Sequence, residues 1–159
     1  MLEELLNYLK KQSWNVELKE EKDIHILDVI GKRYKNIPQQ WLNFVSRFKS
    51  IVNRDNTTWF LCEDDFCLQE ENKFRWNEWE IISLESVGND SELENEIREF
   101  WNKYLPIIMS VRSGYSYYAI SMENGSIVYG IEPEFEECEI IADSFEEFIR
   151  KIMKREIII

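Results

Sequence analysis

Apolar residues recur at Leu2, Leu5, Leu6 and Leu9, the i, i+3, i+4, i+7 spacing of an amphipathic helix. Ser13 to Lys35 carries no single period: "DIHILDVI" fits a buried strand or a short helix equally, and Gly31 breaks it. "NIPQQWLNFVSRFKSIVN" predicts one helix, with Asn36 as its N-cap and Pro38 in the first turn, where a missing N–H costs nothing. Trp41, Phe44, Val45, Phe48 and Val52 mark its buried face. "TTWFLC" is β-branched and aromatic and predicts a strand, and "FRWNEWEIISL" alternates as a second, with Trp79 and Ile81 on one side. "NDSELENEIREFWNKYLP" predicts a helix opened by a Ser91–Glu94 capping box and closed by Pro106. Leu93, Ile97, Phe100, Trp101 and Tyr104 form its apolar stripe.

The last third is patterned for a sheet. "PIIMSV" predicts a strand that leads through "RSGYS" into "GYSYYAISMENGSIVYG", a hairpin around Asn124-Gly125, the pair favoured in type I′ turns. A two-residue loop there sets Met122 opposite Ile127, Ile120 opposite Tyr129 and Tyr118 opposite Ile131, on one apolar face directed at the core. The other face, Ser121 with Val128 and Ala119 with Gly130, is smaller and more mixed. "CEIIADSFEEFIRKIM" then predicts a short strand and a closing helix, capped by Asp143 or Ser144 with Glu146 or Glu147 as reciprocal partner. Phe145, Phe148, Ile149, Ile152 and Met153 keep helical spacing. The resulting fold class is α+β, an antiparallel sheet with flanking N-terminal and C-terminal helices, in a single domain over residues 1–159.

Composition supports a packed core. Hydrophobic residues make up 44% of the 159 residues and aromatics 14%, too much bulky apolar surface for a disordered chain. The net charge of −12 therefore belongs to a folded acidic domain. It argues against a nucleic-acid partner, which needs clustered Lys and Arg, and favours a basic protein through electrostatic steering. Acidity also serves solubility alone. No apolar stretch approaches the ~20 residues that span a bilayer, and "MLEELLNYLKKQ" does not read as a secretory signal. Cys62, Cys67 and Cys138 have no disulfide-framework spacing and read as free thiols of a reducing cytoplasm.

Candidate chemistry is sparse. The single histidine, His25, sits between Ile24 and Ile26 and reads as structural; the cysteine spacing does not suit zinc, and neither a phosphate loop nor a calcium loop is present. No cofactor is expected. Carboxylates are plentiful, but an acid–base pair needs one desolvated member, and runs such as "CEDDF" and "EPEFEECE" read as solvated. Two acidic clusters remain. Glu132, Glu134 and Glu136 share one parity and would project together from an extended segment, with Glu137 and Glu139 nearby. Glu63, Asp64 and Asp65 follow a strand and would crown a loop. Such charge can be an ordinary solvated edge that discourages aggregation, or a patch matched to a basic partner.

The order of these pieces, "NIPQQWLNFVSRF", then "SGYSYYAISMENGSIVYG", then "ADSFEEFIRKI", resembles the SUKH superfamily from about Asn36 to Met153. Two features depart from it: Tyr115 follows Gly114 where many members carry an acidic residue or Asn, and Cys67 to Trp79 shows no clear correspondence. The resemblance implies an α+β fold, no catalysis, and inhibition by binding, since bacterial members are largely immunity proteins that neutralise polymorphic toxins, often nucleases. It implies a cognate, basic, nuclease-like toxin as partner, met by Glu132, Glu134, Glu136 and Glu137, with Asp64 and Asp65 second. Tyr115 and Tyr117 would be aromatic anchors, or else sheet packing. A homodimer is compatible with this reading. The alternatives are a regulatory protein-binding scaffold, and a hydrolase built on a carboxylate pair.

Overall fold

The computed structural model describes residues 1–21, 23–67 and 74–159. Its centre is a seven-stranded antiparallel sheet whose strands lie in sequence order: β1 (Asn15–Leu18), β2 (Phe48–Val52), β3 (Thr58–Phe60), β4 (Tyr104–Ser110), β5 (Ser116–Ser121), β6 (Ile127–Ile131) and β7 (Cys138–Ala142). The helices are α1 (Leu2–Lys11), α2 (Ile26–Ile30), α3 (Gln39–Val45), α4 (Glu63–Cys67), α5 (Glu78–Ser86), α6 (Ser91–Lys103) and α7 (Phe145–Met153). This is the expected α+β class, with helices at both ends of the chain flanking the sheet.

Residues directly opposite in adjacent strands share a face, so the register sorts the core into two layers. One file runs Phe60, Ile108, Tyr118, Tyr129 across β3 to β6. It packs on α3 through Phe44, 5.5 Å from Phe60, and on α7 through Phe148, 5.2 Å from Tyr118. The other file runs Trp59, Met109, Tyr117, Gly130, Cys138 and meets α6 where Trp101 lies 4.8 Å from Tyr117. Every residue of β5 is buried, because helices cover both faces there. Burying one such aromatic contributes about 1.5–3 kcal/mol.

Several local expectations are corrected. The helix predicted over 36–53 stops at Val45, its N-cap is Pro38 rather than Asn36, and Phe48 and Val52 belong to β2. The helical spacing misled because Phe44 and Phe48 touch across the intervening turn, with ring centres 4.9 Å apart. The alternating segment after Phe74 becomes α5 instead of a strand; Trp79, Glu80 and Ser83 are its buried residues, and Glu80 is buried only because Arg33 pairs with it. Within the ambiguous 13–35 stretch, Asn15–Leu18 forms β1 and Ile26–Ile30 a short helix.

Helix α6 is capped by Asp90, whose side chain accepts from the Glu92 and Leu93 amides, one residue before the predicted Ser91. It ends at Lys103, and Pro106 lies inside β4 beside a register irregularity, where its missing N–H is tolerated. The α7 cap is Ser144, accepting from the Glu147 amide, while the Glu147 carboxylate accepts from the Asp143 amide at 2.6 Å.

The β5–β6 hairpin is shifted by two residues: Ile120 faces Ile127 and Tyr118 faces Tyr129. Its loop holds four residues, closed by Ser121 N–H to the Ser126 carbonyl and Gly125 N–H to the Ser121 carbonyl, both 2.8 Å. Only Gly125 of the central pair has positive φ, so the turn is not type I′. A shift of two preserves the side-chain faces, so Tyr118, Ile120 and Ile127 keep their place in the core, but Ile131 is 40% exposed, and Ala119 and Val128 on the other face are buried too.

Candidate functional site

The 132–137 segment is a pinned turn, not the extended run expected. Phe135 is buried and stacks on Trp79 with ring centres 5.5 Å apart, and the Tyr117 hydroxyl donates to the Phe135 carbonyl at 2.5 Å. Glu137 N–H bonds back to the Glu134 carbonyl at 3.0 Å. Two of the expected acids work as fasteners. Glu132 Oε1 accepts from the Tyr115 amide at 2.9 Å, and Glu136 Oε1 accepts from Trp101 Nε1 at the same distance.

The second of these bonds ties the turn to α6, and a groove of about 820 Å³ lies between that helix and the β6–β7 edge. Glu96 and Glu99 line one wall, Glu136, Glu137 and Glu139 the other, with Phe100, Tyr104 and Ile131 supplying apolar surface and Lys103 the single cation. Burial raises the Cys138 thiol's pKa, against hydrogen bonds from Tyr104 and Tyr117, so the thiol stays neutral at pH 7. Burial likewise raises both tyrosines. The groove's charge is thus carried by five carboxylates above a neutral floor.

Of the expected contact residues, Glu136 and Glu137 line this groove, while Glu132 and Glu134 are exposed on the same turn. Tyr115 is half-buried and stacks on Trp79 at 4.6 Å. Tyr117 is fully buried and serves as sheet packing, unable to anchor a partner. Asp64 and Asp65 lie in α4, a helix rather than a loop, which packs on β2 at the far side of the sheet. Asp65 accepts from the Cys62 amide at 2.7 Å, and Asp64 lines a separate cavity with Glu17, Glu20 and Glu21. The two acidic clusters therefore do not form one surface.

Glu96 and Glu99 were missed by sequence reasoning. The available signal is their i, i+3 spacing on the polar side of a helix whose apolar stripe the sequence shows.

Among the described residues two acids are buried, Glu63 and Glu80, and the first of them belongs to the "CEDDF" run that was expected to be solvated. Glu63 accepts from the Lys19 ammonium and from the amides of His25 and Ile26, the last at 2.9 Å. Glu80 takes both arms of Arg33, at 2.7 and 2.8 Å. Each is ion-paired; burial pushes the Glu63 carboxyl up, but the Lys19 ammonium and the His25 and Ile26 amides hold it below its ordinary value, the opposite of what a general acid needs. Among the described residues, no group of three His, Cys, Asp or Glu is placed to hold a metal ion. His25 itself is exposed at the start of α2, and no helix among those residues is long and apolar enough to cross a membrane.

No curated protein matches this chain in sequence. A family model does: that of the SMI1 / KNR4 family (SUKH-1) aligns with residues 37–151, which takes in α3, the whole β2–β7 sheet and most of α7. With the match covering well over half of its residues, the chain belongs to the SMI1 / KNR4 family.

Proposed function

We propose that this protein is a non-catalytic immunity protein, which neutralises a cognate toxin by binding it in the cytoplasm. The family includes immunity proteins, and the observation that carries the reading is the groove between α6 and the β6–β7 edge, with five carboxylates against one lysine. A toxin that cleaves nucleic acid carries a basic, phosphate-binding cleft. Carboxylates held on a pinned turn and a capped helix present the complementary potential without reorganising, which speeds encounter and suppresses neutral partners. Phe100 and Tyr104 add apolar surface of the kind that concentrates interface energy. Glu132, Glu134 and Tyr115 flank the contact, and Asp64 and Asp65, in α4 beside β2, lie apart from it.

The test is protection of growing bacteria against the toxin domain encoded beside this gene. Wild type is compared with Glu96→Lys/Glu99→Lys/Glu137→Lys, whose melting temperature is checked first. Protection by the wild type that the folded triple variant loses is the expected result. Equal protection by both overturns the groove as the contact, and protection by neither overturns the immunity reading. The regulatory-scaffold reading has no separate observation in its favour. The hydrolase reading predicts a concave pocket holding two acids, at least one strongly desolvated; the two buried acids among the described residues, Glu63 and Glu80, are each salt-bridged, which gives that reading no support.

A further inference from the structure

β7 is the last strand of the sheet, and among the described residues no strand pairs with its outer side. Backbone groups alternate between the two sides of a strand. In the β5–β6 ladder, Ser121 N–H bonds to Ser126 and Glu132 N–H to Tyr115. Even-numbered residues of β6 thus turn towards β5, and Tyr129 turns towards β7, opposite Glu139. With Glu139 bonded inward, the amides and carbonyls of Cys138 and Ile140 point outward, and no strand among the described residues pairs with them.

A free edge is a hazard that proteins normally blunt with charge on the strand itself. Here the strand carries one charge, Glu139, and beside it an Ile140 side chain that is 65% exposed. The edge also borders the acidic groove: Cys138 and Ile140 project to the sheet face that α6 covers, Cys138 facing Gly130 and Ile140 facing Val128, and Glu96 and Glu99 stand on that side. A chain added alongside β7 would place alternate side chains beneath those carboxylates and the others outside.

We propose that β7 docks its partner by strand addition: an extended basic segment, with Lys or Arg at alternate positions, pairs with the Cys138 and Ile140 backbone while its cations enter the groove. This deepens the immunity reading and rests on it for the partner's charge. A second copy of this chain is disfavoured as occupant, because β7 against β7 would bring Glu137 and Glu139 of two molecules together.

The experiment uses the full chain and a fluorescent synthetic peptide of about eight residues, alternating arginine and threonine. Controls are the same peptide with glutamate for arginine, and the protein variants Ile140→Pro and Ile140→Ala. Proline removes only the outward N–H and is tolerated on an edge. The expected result is that the basic peptide alone binds, that Ile140→Ala changes affinity little, and that Ile140→Pro weakens it roughly five- to tenfold, as for one lost hydrogen bond. Hydrogen exchange on the wild type is read in parallel, with protection of the Cys138 and Ile140 amides expected on binding; this readout stands even if Ile140→Pro does not fold.

Equal binding by folded Ile140→Pro, or unprotected amides, overturns strand addition while leaving the groove's charge as the contact. Equal binding of the acidic peptide, or no binding of the basic one, overturns it too. So does a wild-type dimer by sedimentation that Ile140→Pro dissolves. Loss of bacterial protection in the groove triple variant, by contrast, reports on the immunity reading alone.

Discussion

Gly130 lies directly opposite Tyr117 in the β5–β6 ladder, and a Cβ at Gly130 would stand 2.5 Å from both Cζ and Oη of that ring. The missing side chain lets Tyr117 lie flat over β6 and send its hydroxyl to the Phe135 carbonyl, so this glycine shapes the turn that forms one groove wall. Neither backbone nor buried ring can move cheaply. Gly130→Ala is expected to destabilise the fold by about 1–3 kcal/mol, the usual range for overpacking. Denaturant unfolding measures this, and an unchanged midpoint would show that the ring can swing away.

Glu63 links stability to pH. Burial pushes its carboxyl up, but the Lys19 ammonium and the amides of His25 and Ile26 outweigh that push and hold it below its ordinary value. A folded-state pKa lower than the unfolded one means stability present above the unfolded value and lost as pH falls through the folded one. Glu63→Gln should therefore cost about 1.5–3 kcal/mol at pH 7. The gap from wild type should close as pH drops below about 4. Urea unfolding at several pH values tests this; a gap independent of pH would remove the ion pair as its cause.

Arg33 and Glu80 join the turn after α2 to α5 through a two-armed pair, with the Glu80 side chain only 6% exposed. Removing the cation strands a buried carboxylate. Arg33→Met is expected to lose about 3–5 kcal/mol, and Arg33→Met/Glu80→Leu to regain much of it. A double-mutant cycle by thermal unfolding decides, and a double variant as unstable as Arg33→Met would show that the arginine stem's packing matters more than the charge.

The three thiols should separate by access. Cys62 is buried, Cys138 half-buried and Cys67 exposed, and burial raises all three pKa values. Carboxylates at Glu63 and Asp64 raise Cys67 further. Alkylation at pH 7 should be slow throughout, with Cys67 labelled first and Cys62 only on unfolding. Mass spectrometry of timed samples checks the order.

Periodicity was dependable where one face alone is buried. The stripe of α7 stands as predicted, and of the two cap residues expected, Asp143 or Ser144, it is Ser144, because the buried set Phe145, Phe148, Ile149 and Ile152 and the cap are local to one helix. It failed where two structures share a spacing. Phe44 and Phe48 fit one long helix as well as a helix, a turn and a strand, and pairing of β2 with β1 and β3 chose the latter. In the segment after Phe74, the Arg33–Glu80 pair and the packing of Trp79 settled the helix, and neither contact is local.

What the sequence determined by itself is the α+β class, the acidic character, most of the large core residues and, to within one residue, where α6 and α7 begin. These follow from the burial preference of each side chain and from bonds spanning four residues or fewer. Tertiary structure alone decided that Glu96 and Glu99 confront Glu136 and Glu137 across one groove, while Asp64 and Asp65 lie elsewhere. It also turned Glu132 and Glu136 into fasteners and hid Tyr117. Each of those outcomes depends on residues 17 or more apart in the chain meeting across a sheet, and no local pattern of apolar and polar positions encodes such a meeting.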